Sequence, residues 1–124
     1  MLRTTVLYSA TLKALDWPWM LQQLNQTASN LLLFVDTDIQ TQAHVVEDYQ
    51  IGRVPQGAEF DFVQVTVELL CGRDKQLVDW IAKRLFDTLR DELQPALAGR
   101  RLRLSLDVRE IPNETYWQDW LGDG

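Results

Sequence analysis

The 124-residue chain reads as an α+β domain: a tandem β-α-β repeat forming a four-stranded mixed sheet, with two helices on one face. Three observations predict it. Phe60 to Leu70 and Arg101 to Arg109 alternate apolar and polar side chains, the period of a half-buried strand. Between them Leu77, Val78, Ile81, Leu85, Leu89 and Leu93 recur at three and four residues, the period of an amphipathic helix. The first half of the chain repeats the order strand, helix, strand more faintly. The repeat halves cover about 1–52 and 60–111, an aromatic tail covers 112–124, and together they form a single domain, 1–124.

Thr4 to Ser9 is the first strand, with Val6 and Tyr8 on one face and Thr5 and Leu7 on the other. Asp16 can cap the first helix and Pro18 lies in its first turn, where a missing N–H costs nothing. Met20, Leu21, Leu24 and Ala28 give that helix its apolar stripe to about Ser29, and Asn30 is a plausible stop. Ile39 to Tyr49 follows as a second strand, polar at Gln40, Gln42 and His44. Asp36 and Asp38 read as capping the turn into it, with a carboxylate pair for a cation as the alternative. Arg53 to Glu59, with Gly52, Pro55 and Gly57, is the loop dividing the halves.

In the second half Asp74 can cap the long helix, Pro95 ends it and Ala98-Gly99 closes it. On the last strand Leu102, Leu104, Leu106 and Val108 face one way. Arg101, Arg103, Ser105, Asp107 and Arg109 face the other. A crossover through a helix returns the chain in the same direction, so each unit holds a parallel pair. The sheet face away from the helices would carry Gln64, Thr66 and Glu68 or the arginine row. It is polar without being fully charged, which suits packing against another subunit's sheet or a solvated face.

Composition narrows the function classes. The chain is 46% hydrophobic and 24% charged, a globular balance. A formal charge of -6 argues against a nucleic-acid partner, which needs a basic stripe. The longest apolar run, Leu31 to Val35, is far below the roughly 20 residues that span a bilayer, so no membrane partner is expected. The start has no charged-then-apolar signal segment, and a cytoplasmic location is expected. One cysteine, Cys71, excludes an internal disulfide and a multi-cysteine metal site. It reads as a small buried hydrophobe at a strand end, with a reactive thiol beside Arg73 as the alternative. His44 is the only histidine, so no histidine-rich metal site is expected. Its readings are an acid–base or ligand role and a structural one. No glycine-rich phosphate loop or Gly-x-Ser-x-Gly is present. Five tryptophans are many for this length. Trp117 and Trp120, with Tyr116, crowd a tail too polar to fold alone, so they should pack on their own body or a neighbour's.

The chain resembles the 5-carboxymethyl-2-hydroxymuconate Δ-isomerase family of the tautomerase superfamily over nearly its whole length. The resemblance rests on Asp16-Trp17-Pro18, Asn25, Ile39, His44 and Tyr49-Gln50, and on Phe60 to Thr66 leading to Gly72-Arg73. Leu85-Phe86, Leu104-Ser105-Leu106, Glu110 and Asn113 continue it. It implies a tautomerase-like homotrimer with active sites between subunits and a cofactor-free reaction of aromatic catabolism. In that reaction a proton moves along a conjugated 2-hydroxymuconate-type acid. The base is an N-terminal proline, whose ammonium in an apolar pocket titrates toward neutrality, while arginines bind the substrate carboxylates.

Carried over by position, Gly72-Arg73 matches the family's arginine before the second helix, which makes Arg73 the anion ligand for a small carboxylate. The helix N-terminus there is favourable to an anion. Gln40 and Gln42 stand where the family has basic residues, and with His44 they are the remaining substrate-binding candidates. The chain begins Met1-Leu2, so no proline follows the initiator. The α-amino group of Met1 is then the catalytic candidate, since a primary amine can act as a base near neutral pH. The expectation is an isomerase with activity weakened or lost, or a non-enzymatic trimeric binding or structural module. No metal is expected.

Overall fold

A computed structural model describes residues 1–55 and 60–122. Strand β1 (Leu2–Ser9) leads through a 3₁₀ turn at Ala10–Leu12 to helix α1 (Trp17–Asn30). A second 3₁₀ turn, Asp36–Asp38, enters strand β2 (Ile39–Val46). The second unit comprises β3 (Phe60–Leu70), α2 (Lys75–Leu93) and β4 (Arg101–Ile111). The sheet runs β2-β1-β3-β4. β1 pairs parallel with β2 and β3 parallel with β4, while β1 and β3 meet antiparallel. Two parallel β-α-β units thus join along one antiparallel seam, the tandem repeat and mixed sheet expected from the sequence.

The core lies between the helices and one face of the sheet. Leu2, Val6, Val63, Val65, Val67 and Leu69 line that face and are fully buried. Trp17, Met20, Leu24 and Ala28 of α1 and Val78, Ile81, Leu85, Leu89 and Leu93 of α2 close it. Trp17 extends the expected α1 stripe by a turn: it stacks on Tyr8, centroids 4.2 Å apart, and its indole N–H donates to the Leu12 carbonyl at 3.0 Å. Each such side chain contributes on the order of 2 kcal/mol by leaving water. Asp16 caps α1, its carboxylate accepting from the Trp19 N–H at 3.1 Å. Asp74 occupies the equivalent position of α2 but makes no side-chain cap bond. The helices are tied across their interface by a 2.6 Å bond between the Thr27 and Thr88 hydroxyls.

The other face is open and carries cross-strand rows. One row is Gln40, Arg3, Glu68 and Arg109; the next is Gln42, Thr5, Thr66 and Asp107; the third is His44, Leu7, Gln64 and Ser105. Gln64, Thr66, Glu68 and the arginines of β4 therefore share this face.

Several expectations change. β2 ends at Val46, because its partner β1 ends at Ser9, directly opposite. Cys71 is exposed, since it lies in the bend just past β3. Trp117 and Trp120 are 90% and 70% exposed on the single chain, and only Tyr116 of the tail aromatics is half-buried. The dividing loop expected over Arg53 to Glu59 lies outside the described residues from 56 onward. At the opposite end of the sheet from Met1, buried Asp61 at the start of β3 receives two 2.8 Å bonds from Arg100 and one from the Thr11 hydroxyl.

Candidate functional site

Register gathers the site. Leu2 pairs with Ile39 on one side and Leu69 on the other, so the chain start, the start of β2 and the end of β3 meet at one end of the sheet. A cleft of about 270 Å³ opens there. Met1, Leu2, Arg3 and Gln40 of the first two strands line it, with Thr37 and Asp38 from the turn before β2 and Tyr116, Gln118, Asp119 and Trp120 from the tail.

Arg73 belongs to the same end but does not line this cleft. Strand β3 runs out at Leu70, and Gly72 turns the chain at φ +121°, a conformation that L side chains rarely adopt. The turn sets Arg73 just before α2, with its guanidinium 4.7 Å from the centre of the Phe34 ring. Among the described residues Arg73 has no carboxylate partner. Phe34 precedes Thr37 and Asp38, so one segment supports Arg73 and walls the Met1 cleft.

The other candidates divide. The Gln40 amide donates to the Gln42 carbonyl oxygen at 3.1 Å, and Gln42 reaches the Thr5 hydroxyl at 3.4 Å. The two glutamines thus form one polar string from the cleft along the open face. His44 shares that face but lies four residues beyond Gln40, about 13 Å along the strand, and is exposed. Met1 and Gln40 are brought together, Gln42 adjoins them, and His44 is separate on this chain. Among the described residues no group of three His, Cys, Asp or Glu is arranged to hold a metal. No helix of the described residues is long and apolar enough to cross a membrane.

Sequence reasoning missed Arg3, Asp38, Tyr116, Asp119 and Trp120 as cleft residues. They meet through strand register and the return of the tail, neither of which leaves a local pattern. Arg3 is committed: its Nε donates to Glu68 at 2.8 Å. That hydrogen bond is the main cause holding the Arg3 guanidinium above and the Glu68 carboxyl below their ordinary values. Burial opposes both shifts, and Arg109 adds to the effect on Glu68.

Two tandem β-α-β units, joined antiparallel, define a protein with a tautomerase-like fold. A crystal structure of a 5-carboxymethyl-2-hydroxymuconate isomerase from Deinococcus radiodurans R1 superposes with a TM-score of 0.84, 23% identity, covering 95% of this chain and 88% of that one. A second structure, of a 5-carboxymethyl-2-hydroxymuconate delta-isomerase, gives 0.80 at 18% identity over 98% and 89%. A fused 4-OT asymmetric trimer gives 0.71 at 13% over 94% and 91%. At these identities the likeness establishes the fold. No curated protein sequence matches the chain. The sequence model of the 5-carboxymethyl-2-hydroxymuconate isomerase family matches residues 3–120, and the chain belongs to that family.

Proposed function

We propose that the protein is a cofactor-free isomerase that moves a proton between the keto and enol forms of a small unsaturated carboxylic acid, with weakened activity. The observation that supports this most is the convergence at one end of the sheet. Met1 lines the cleft there, and Arg73, with no carboxylate partner among the described residues, follows the end of β3 at the same end of the sheet. Arg73 takes the substrate carboxylate through its paired N–H donors, and the start of α2 adds a favourable dipole. The free α-amine of Met1 removes the dienol hydroxyl proton and returns it to carbon at the far end of the conjugated system. Gln40 offers a neutral amide to the oxygen that gathers charge. A flexible primary amine replaces a rigid cyclic one, which is the reason for the reduced rate.

The assembly proposed is a homotrimer, packed through the open sheet face. The fused trimer of the same fold supports it, as does a face whose rows mix amides, hydroxyls and ion pairs. In such a packing His44 and Gln42 enter the subunit interface. The proposed location is cytoplasmic.

A non-enzymatic trimeric binding or structural module is the second reading. It is favoured by Leu2, which is 1% exposed in the core beside Met1, and by the bond that Gln40 and Gln42 make to each other.

An isomerase assay on a 2-hydroxymuconate compound separates the readings. The enzyme reading expects turnover in the native chain that falls with Arg73→Ala and rises when a proline is placed at the amine. No turnover in either the native or the proline-bearing chain favours the module. Intact mass spectrometry must show a free Met1; an acetylated or extended terminus removes the amine from the reaction. Light scattering that gives a monomer counts against the trimer.

A further inference from the structure

We infer that the tail, residues 116–121, is a strap that closes over the Met1 cleft, and that Trp120 lies flat against the conjugated chain of the bound acid. The inference rests on the isomerase reading above and adds a substrate-contacting residue to it.

The tail has an inner and an outer side. Tyr116, Gln118, Asp119 and Trp120 line the cleft, whereas Trp117 and Leu121 do not and are 90% and 89% exposed. The backbone is extended at Tyr116, with φ −120° and ψ 120°, and successive side chains of an extended segment point to opposite sides. Arg3 and Gln40, which line the cleft together with the tail, belong to one row of the open sheet face. The tail therefore crosses that face at its Met1 end.

Little holds the tail down. Its root is fixed by the half-buried Tyr116, whose backbone N–H donates to the Asn113 carbonyl at 3.2 Å. Beyond the root its bonds stay within the tail. The Tyr116 hydroxyl donates to the Gln118 side chain at 2.8 Å, and the Trp120 backbone N–H donates to the Asp119 carboxylate at 2.8 Å. Among the described residues no hydrogen bond or ion pair ties residues 117–121 to the sheet. A segment with so few ties opens and closes at small cost.

Trp120 borders the cleft and yet is 70% exposed. An indole in that position loses water-exposed surface when a flat apolar group fills the space beneath it, and an unsaturated acid presents such a group. The ring then presses the conjugated chain toward the strands that carry Met1. A neighbouring subunit packed on the open face meets the outer side of the tail, Trp117 and Leu121, and leaves the inner side to the ligand.

The test uses 2-hydroxymuconate on the full-length native chain, on Trp120→Leu and on Trp120→Phe. Calorimetric binding, turnover and oligomeric mass are read, with circular dichroism as the check on folding. Trp120→Leu should raise Kd and KM about three- to tenfold, the strength of one stacked ring, and Trp120→Phe should restore most of the loss. The kcat should stay within about twofold, since the ring touches the chain of the acid equally before and during proton transfer. Chymotrypsin cleavage after Trp117, followed by mass spectrometry, should slow when the native chain binds the ligand. Unchanged binding in Trp120→Leu, or cleavage at the same rate with and without ligand, overturns the inference and leaves the isomerase reading standing. A drop in oligomeric mass in Trp120→Leu assigns the ring to a subunit contact and overturns it as well. A native chain that neither binds nor turns over 2-hydroxymuconate overturns the isomerase reading, and this inference with it.

Discussion

The two ends of the sheet use arginine in opposite ways. At one end Arg100 is spent on Asp61: two bonds of 2.8 Å reach a carboxylate whose side chain is wholly buried, and Thr11 adds a third. At the other end Arg73 lies on an aromatic ring, with no carboxylate partner among the described residues. The first arrangement ties the start of β3 to the segment before β4 and uses the guanidinium's donors on one buried carboxylate. The second holds the guanidinium in place by its face while its N–H edge stays available. An arginine's partner, more than its position, separates the structural role of Arg100 from the binding role proposed for Arg73.

The comparison is broken most forcefully at the structural end. Asp61→Ala should cost about 2–3 kcal/mol in denaturant unfolding, less than a fully buried pair because Arg100 is one-third exposed. Carboxylate binding at the far end should be unaffected in the chains that remain folded. Acid should act on the same pair. Burial favours the neutral form of Asp61, but the bonds from Arg100 and Thr11 and the charge of Arg100 outweigh it, so its folded pKa lies below the ordinary 3.8. The stabilisation is therefore complete above about pH 4 and is lost as pH falls through that lower value. Thermal unfolding of the native chain should weaken over this acid range, and Asp61→Asn should flatten the dependence.

At the end proposed to bind the ligand the expected order is reversed: large effects on the ligand and small ones on stability. Arg73→Ala should weaken binding of a small carboxylate by about ten- to a hundredfold, the loss of one charge-assisted contact. Its unfolding midpoint should stay near native, since Arg73 forms no ion pair among the described residues. Phe34→Leu sharpens the contrast, because it keeps apolar bulk and removes the ring face. Binding should fall only severalfold, in line with a cation–π contact of about 0.5–1 kcal/mol, and Phe34→Tyr should restore it. Equal loss in the leucine and tyrosine variants would mean that shape, and not the ring face, positions Arg73.

Much of the fold was legible because the second unit states its own periods. Strand β3 has the expected bounds, Phe60–Leu70, since its alternation coincides with its pairing on both sides. Strand β2 was read as too long, because the length of an edge strand is set by the partner that ends at Ser9. Trp17 lies between the cap Asp16 and Pro18 at a helix start, and its burial depends on Tyr8, nine residues earlier on a strand. Cys71 has the residue type of a core position, and only the bend after β3 exposes it. The candidate site was half legible. Gly72-Arg73 is a local pattern, whereas the neighbours of Met1 are drawn from residues 37 to 40 and 116 to 120 by register and by the path of the tail.

The antiparallel seam has a practical consequence. By pairing Leu2 with Leu69 it opens the cleft at the chain's first residue. An affinity tag joined ahead of Met1 would therefore emerge inside the cleft and turn the proposed base into an amide, which cannot take up a proton. A tag on the carboxyl side extends from beyond Trp120, at the cleft's wall. Preparations tagged at the front, at the back and not at all would differ in the proposed proton transfer before any residue had been changed.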